Sequence, residues 1–248
     1  MIPRIAAYEL RRLFVSPLAW LLLAIIQFLA AMFFYILLSR YLQAGQSHGD
    51  HGITEVVVAG MLQITGIIVL LVTPFLTMRL FSEEQHNGTI NLLFSAPVSV
   101  TELVLGKYLG TVLFLFIALI MVAAMPLALL PGVPLDPGLL AAGLLGLALL
   151  MLSFTAIGMF ISTLTAQPVA AASTTFGILF LLWIVHSAGN TTGGAGGAML
   201  GWLSLLRHYN RLLVGIVSSV DVAYFLLLGT VFVLLSIWRL DAMRTHHW

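Results

Sequence analysis

The sequence predicts an all-α polytopic membrane protein with six transmembrane helices. Its 248 residues are 61% hydrophobic and 8% charged, whereas an ordinary soluble domain carries about 25% charged residues. Charge-free apolar runs recur along the chain, and most approach or exceed the roughly 20 residues that a membrane helix needs. These runs leave no room for a soluble catalytic domain.

The charge balance and the cysteine count exclude further classes of protein. Ten Lys and Arg against nine Asp and Glu give a formal charge of +1, so the chain has no strongly basic surface for nucleic acid. Because it contains no cysteine, disulfides, thiolate metal sites and thiol nucleophiles are excluded together.

The predicted spans follow the apolar runs in chain order. The first four are long enough by themselves, whereas the charge-free parts of the fifth and sixth, 169–185 and 222–238, cross only with help from flanking residues. The predicted boundaries are 18–38, 56–78, 107–130, 139–163, 169–187 and 222–240.

Basic residues predict the orientation of the spans. Six spans place both termini on one side, and that side holds seven of the ten Lys and Arg residues. Since cytoplasmic segments are enriched in Lys and Arg, both termini are predicted to be cytoplasmic. The seven are Arg4, Arg11, Arg12, Arg79, Lys107, Arg239 and Arg244, and the other three are Arg40, Arg207 and Arg211.

The first outer connection contains a weak candidate metal site. His48, Asp50 and His51 provide ligand types that suit zinc or copper. They lie among three glycines and lack a supporting set of hydrogen bonds, so we favour a solvated polar loop.

The longest cytoplasmic connection, residues 79–110, carries several helix signals. Ser82 with the two following glutamates favours a helix start, and Asn87-Gly88 indicates a turn. Thr89 then opens a short amphipathic segment that Pro97 ends. Ser99-x-x-Glu102 matches a capping box that leads into the third span. Such a loop fits a docking surface and an interfacial linker equally well.

The last outer segment predicts a loop followed by an amphipathic helix. Gly189–Gly197 is glycine-rich and favours a flexible loop. From Leu203 to Ser219, Arg207, His208 and Arg211 share a polar side, opposite an apolar stripe. We expect this helix to lie in the outer interface, although it could instead be the frayed start of the sixth span.

The predicted spans hold few groups capable of chemistry. None has a charged residue in its middle, which disfavours a proton- or ion-coupled carrier. Their Ser and Thr side chains favour hydrogen bonds between helices. The glycine pairs Gly106 with Gly110 and Gly143 with Gly146 predict close packing, with span four or span two nearby.

An intramembrane hydrolase and a passive scaffold are the competing functions. The chain lacks a Gly-x-Ser-x-Gly elbow and a His-Glu-x-x-His pair. A dyad of Ser153 and His186 lacks an oxyanion loop, which makes it a poor hydrolase candidate. A scaffold fits the composition but does not explain the structured inner loop.

Three stretches resemble the permeases of ABC-2 type transporters, in particular the gliding-motility-type branch. The first is the run from Phe81 to Ser99, followed by Glu102–Gly110. The second is His208–Val217, followed by Asp221–Phe225, and the third is Glu9–Pro17. The sequence departs from the family pattern at His86, where a basic residue is usual, and in its glycine-rich outer loop.

The resemblance implies roles for specific residues. It implies that the residues before Pro17 form an amphipathic elbow helix on the inner leaflet, and that a coupling helix between spans two and three seats in an ATPase subunit. The elbow residues are Tyr8, Arg11 and Arg12, and the coupling residues are Glu83, Glu84, Gly88, Thr89, Leu92 and Leu93.

The energy source is expected to lie outside this chain. No Gly-x-x-x-x-Gly-Lys-Ser/Thr phosphate loop is present, so ATP and Mg²⁺ are expected in a separate ABC ATPase. A second permease copy, identical or homologous, is expected to complete the pathway, with membrane lipid and an auxiliary or periplasmic subunit as further partners. The expected setting is the plasma membrane of a prokaryote, and the expected work is export or force transmission to the outer face.

Overall fold

The computed structural model describes residues 1–44, 52–90, 98–129, 135–191 and 204–246, and within them every regular element is a helix. A π-helical segment, Thr54–Ala59, leads directly into α3. The α-helices are α1 (Ile2–Val15), α2 (Pro17–Ala44), α3 (Gly60–Thr77), α4 (Ser82–His86), α5 (Val100–Leu127), α6 (Pro137–Leu164), α7 (Pro168–Thr191), α8 (Leu205–Leu213) and α9 (Ser219–His246).

Six of these elements are long and apolar enough to cross a membrane, which confirms the predicted six-span, all-α fold. They are α2, the π-segment with α3, α5, α6, α7 and α9. The fifth and sixth are longer than their charge-free runs, because α7 continues to Thr191 and α9 begins at Ser219. The first residues of the predicted glycine-rich loop are therefore helical, and the rest of that loop lies outside the described residues.

The core of the bundle is built around α6. In the most apolar stretch of this helix 72% of the residues are buried, and α3 follows with 61%, whereas α7 has only 17%. Helix α6 packs against α3, α5, α7, α8 and α9. The fourth and second spans therefore form the interior, and α7 presents most of its apolar surface outward.

Both chain termini lie at one end of the bundle, here called the terminal end, because Arg4 of α1 and Arg244 of α9 line the same cavity. Helix α1 ends at Val15, and the extended backbone of Ser16 separates it from α2. The buried side of α1, which includes Ala6, Glu9 and Leu13, packs along the first half of α5.

The glycines Gly106 and Gly110 permit the contact between α1 and α5. A Cβ atom on Gly106 would lie 2.6 Å from Ile5 Cβ, and one on Gly110 would lie 2.9 Å from the carbonyl oxygen of Ala6. These glycines were expected to face span four or span two, so the structure corrects that prediction. The expectation holds for Gly143, which approaches Leu62 of span two.

At the other end, here called the opposite end, α8 differs from its prediction. It is shorter than the predicted 203–219 helix, because Gly215 adopts a φ of +85° just beyond it. His208 does not share an exposed side with Arg207 and Arg211; it is buried. Helix α8 also packs on α6 and α7, and Tyr209 donates a 2.6 Å hydrogen bond to the carbonyl of Leu62. It is thus part of the bundle.

Most hydroxyl groups inside the spans bond within their own helix, contrary to the expected bonds between helices. Thr65, Thr73, Thr155 and Thr175 each donate to the carbonyl four residues earlier, an alternative partner that Ser and Thr commonly find in helices. Ser153 is different, because it also donates to the carbonyl of Phe225 in α9 at 3.0 Å.

Candidate functional site

The short helix α4 is fixed to the bundle at its first residues. The backbone amides of Phe81 and Ser82 both donate to the hydroxyl of Ser162, each at 3.0 Å. Gln85 donates from its side chain to the carbonyl of Thr163 at 3.1 Å. Because Ser162 and Thr163 lie in the last turn of α6, the start of α4 is anchored to the most buried helix of the protein.

A tight turn follows α4 and faces solvent. Gly88 has a φ of +69°, a conformation that other residues rarely adopt, and this confirms the turn predicted at Asn87-Gly88. The hydroxyl of Thr89 donates to the carbonyl of Glu84 at 3.3 Å and closes the turn. His86, Asn87, Gly88 and Thr89 are all exposed.

Behind this turn, an ion cluster joins three helices that are distant in the sequence. Lys107 of α5 donates to the carboxylate of Glu84 and, at 2.6 Å, to the carbonyl of Leu80. Arg12 of α1 lies 3.6 Å from the same Glu84 oxygen and 2.9 Å from the carboxylate of Glu9. Glu84 therefore ties α4 to both α1 and α5.

The cluster is shielded from water to different degrees. The side chain of Lys107 is 4% exposed and that of Glu9 is 2% exposed, whereas Arg12 is 34% exposed. Burial raises the pKa of Glu9 above its usual value of 4.5, although the nearby charges of Lys107 and Arg12 act to lower that pKa. Charges held this deeply interact more strongly than surface pairs, since water screens them less.

The predicted coupling and elbow residues occupy several different environments. Gly88 and Thr89 are exposed in the turn, Glu83 is partly buried, and Glu84 is engaged within the cluster. Leu92 and Leu93 lie outside the described residues. In the elbow helix, Tyr8 and Arg11 are exposed and Arg12 belongs to the cluster.

The sequence prediction did not include Glu9, Lys107 and Ser162 in this site. A lysine at the first turns of an apolar span was the available signal for Lys107, because an ionisable group there needs a partner. Glu9 gave a similar signal as the one acid in α1. Nothing in the local sequence of Ser162 distinguishes it from the other hydroxyl residues of the spans.

A second buried carboxylate lies at the opposite end. Asp221 of α9 is fully buried and lies 2.5 Å from Nδ1 of His208. Arg211 is 3.5 Å from the same carboxylate oxygen, with its side chain 47% exposed. The ring of His208 stacks on Tyr224 with centroids 4.2 Å apart. Of the predicted outer-helix residues, His208 and Arg211 are thus brought together by Asp221.

The other candidate sites gain no support from the geometry. His48, Asp50 and His51 lie outside the described residues, and within those residues no group of three or more His, Cys, Asp or Glu side chains could hold a metal ion. The hydroxyl of Ser153 donates to the carbonyls of Leu149 and Phe225, each at 3.0 Å. Its proton is therefore already used, and the side chain of His186 lies outside the described part.

A comparison with protein families agrees with the six-span, all-α scaffold. The model of the ABC-2 family transporter protein matches residues 4–244. The chain belongs to the ABC-2 transporter family. Among curated proteins, no sequence matches the chain.

Family membership defines the general role of the chain. It is a transmembrane permease subunit of an ABC transporter, and such permeases pair with an ABC ATPase subunit. In this family the permease domain is the transmembrane part and not the ATPase. Together with the six apolar helices, this makes the chain a multi-pass membrane protein.

Proposed function

We propose that this permease receives the movement of its ATPase through the segment Ser82–Thr89, with the exposed turn His86–Thr89 as the docking surface. The observation that carries the proposal is the engagement of Glu84, directly behind that turn, with Lys107 of α5 and Arg12 of α1. A partner that moves the turn would act on two further helices through buried charges.

The order of the elements supports a path from the turn into the membrane. The first turns of α5 carry Lys107, so a displacement of Glu84 would act on the third span directly. Helix α1 continues into the first span after Ser16, so Arg12 offers a second route. The anchor at Ser162 lies in the fourth span and would act as the fixed point. ATP binding drives this movement only if it favours one arrangement of these helices over another.

The proposed setting is the plasma membrane of a prokaryote, with the terminal end cytoplasmic, as the count of basic residues favours. We propose a dimer of permeases with two ATPases, in which each ATPase binds ATP and Mg²⁺. The largely outward-facing apolar surface of α7 offers area for a second copy. We propose that the transporter exports a substrate or transmits force to an outer or auxiliary partner. The resemblance to the gliding-motility-type branch belongs to this part of the proposal.

The test separates docking from transmission. In membranes that hold the permease and its ATPase, Thr89→Arg should lower ATPase recruitment about tenfold, because it adds bulk and charge to the docking surface. Gln167→Arg is the matched control, since Gln167 is exposed in the connection between α6 and α7 at the same end. Co-purification measures recruitment, and unchanged recruitment of Thr89→Arg at normal permease levels would show that the turn is not the docking surface.

The transmission step is tested by a charge exchange. Glu84→Lys should retain ATPase binding but lose most of the stimulation of ATP hydrolysis, because two cations then face each other. Adding Lys107→Glu should restore part of that stimulation by remaking an ion pair. Full stimulation in Glu84→Lys alone would exclude this route.

A further inference from the structure

A cavity of about 350 Å³ lies at the terminal end, between the junction of α1 with α2, the end of α3 and the turn after α4. Its volume falls within the roughly 300–1,000 Å³ typical of small-molecule sites. Its residues are of two kinds. The apolar ones include Leu18, Ala19, Phe75 and Leu76, and the polar ones include Ser16, Asn87 and Thr89 together with four charged side chains.

The position of the cavity matches the boundary between headgroups and acyl chains. Ser16 directly precedes α2 and Arg79 lies two residues beyond α3, so we place the edge of the apolar layer at their level. The apolar wall belongs to the spans themselves, and Phe75 is 48% exposed on the bundle surface. A ligand with a polar head and an apolar tail could therefore place each part against a matching wall.

The charges of the cavity leave one cation and one anion unpaired. Arg12 and Glu84 are paired with each other and with further charges of the ion cluster. Among the described residues, neither Arg79 nor Glu83 has an ion-pair partner. The guanidinium of Arg79 makes one long hydrogen bond, 3.4 Å to the hydroxyl of Ser16. The Arg79 guanidinium therefore has further N–H groups that can donate to the phosphate of a ligand, a group that arginine binds well.

Two carboxylates also favour a ligand that donates hydrogen bonds. Glu84 Oε2 is buried and accepts no hydrogen bond within the described part of the chain, and Glu83 lines the same cavity. A ligand with only negative charge would be repelled by these groups. A primary ammonium beside the phosphate would instead satisfy them, because it carries several N–H donors.

We propose that this cavity binds the phosphoethanolamine headgroup of a zwitterionic phospholipid. Arg79 binds the phosphate, Glu83 accepts from the ammonium, and one acyl chain follows Leu18 and Phe75. Phosphatidylcholine shares the phosphate and the charge but has no N–H to donate. Phosphatidylglycerol shares the phosphate and lacks the cation. The site should therefore distinguish these three lipids.

The test measures which lipid stays with the protein. The full permease with its ATPase is placed in bilayers of equal parts phosphatidylethanolamine, phosphatidylcholine and phosphatidylglycerol, extracted gently, and analysed by mass spectrometry for retained lipid. We expect phosphatidylethanolamine to be enriched about tenfold, the factor expected for a charge-assisted hydrogen bond. A preference for phosphatidylglycerol, or no enrichment, overturns the proposal.

Matched variants test whether Arg79 binds the phosphate and Glu83 binds the ammonium. Arg79→Gln should abolish the enrichment, and Arg79→Lys should retain part of it. Glu83→Gln should retain phospholipid but remove the preference for phosphatidylethanolamine over phosphatidylcholine. Arg40→Gln, at the opposite end of α2, is the control and should behave as the wild type. Enrichment that survives both Arg79→Gln and Glu83→Gln places the lipid elsewhere and overturns the proposal.

A further arm distinguishes a lipid from a soluble phosphate compound. Inorganic phosphate added during extraction should leave the retained phosphatidylethanolamine unchanged, because it satisfies neither the carboxylates nor the apolar wall. Displacement of the lipid by inorganic phosphate would show an anion site instead and would also overturn the proposal.

Discussion

The two ends of the bundle each hold a carboxylate beside basic side chains, but these clusters connect different parts of the chain. At the terminal end, Glu84 joins α4 to α1 and α5, whose partner residues are distant in the sequence. At the opposite end, Asp221 joins α9 to α8 through His208, only 13 positions earlier. The first cluster links elements that are far apart in the sequence, whereas the second links two helices that follow each other in the chain.

The partners of the two carboxylates also differ in their access to water. The Lys107 side chain is 4% exposed, while Arg211 is 47% exposed. If its carboxylate is removed, Arg211 can turn into solvent. Lys107 cannot turn into solvent in this way, because its side chain is enclosed by the bundle. The comparison predicts a larger loss of stability at the terminal end.

The largest effect is expected for Glu84→Ala. Removing Glu84 takes away the carboxylate that contacts the enclosed Lys107, so the free energy of unfolding should fall by about 3–5 kcal/mol, as for a broken buried ion pair. Unfolding of the purified protein in lipid-free detergent measures this change. Glu83→Ala, one residue earlier and without an ion pair among the described residues, is the control and should change stability by less than about 0.5 kcal/mol. Equal losses would show that Glu84 is not the central residue of the cluster.

A smaller effect is expected for Asp221→Ala at the opposite end. The loss of its hydrogen bond to His208 should lower the free energy of unfolding by about 1–2 kcal/mol, since Arg211 is half exposed and can turn into solvent. The same unfolding measurement checks it. Arg211→Gln should change stability by less than about 1 kcal/mol, because exposed ion pairs contribute little. A loss for Asp221→Ala as large as that for Glu84→Ala would remove the proposed difference between the ends.

The smallest effect concerns the pH dependence of Glu9. Its folded-state pKa is raised above 4.5 by burial, so the folded protein binds a proton more tightly than the unfolded chain does. This contribution to stability is complete below pH 4.5 and is lost as the pH rises through the raised pKa. Unfolding measured from acidic to neutral pH should show this decline in the wild type and a flatter profile in Glu9→Gln. Identical profiles would mean that Glu9 does not titrate differently in the two states.

The spans could be predicted from the sequence alone because the signal for each span is local. Each helix satisfies its own backbone hydrogen bonds, so length and absence of charge are enough to find it. The capping box at Ser99 and Glu102 was predicted for the same reason, and both of its hydrogen bonds are present. The turn at Gly88 also follows from two adjacent residues.

The contacts between helices could not be predicted in this way. Gly106 and Gly110 indicate that some backbone comes close, but their sequence does not say that the partner is α1. The amphipathic pattern of α8 predicted the helix but not its packing on α6 and α7, because an apolar stripe fits a lipid surface and a protein core equally well. Glu84 was predicted to be part of the coupling segment from a family pattern, and its partners Lys107 and Arg12 required the fold.

The close fit between α1 and α5 has a consequence for biogenesis. Helix α1 is made before α5, and the glycines that receive it follow about a hundred residues later, an interval of about 5–20 s at ordinary rates of synthesis. During that time Glu9 lacks Lys107, and the apolar side of α1 lacks its protein partner. The nascent helix must wait at the membrane surface or beside an insertion factor until the third span arrives. Its docking on α5 would then precede the synthesis of Ser162 and Arg244, which complete the terminal end.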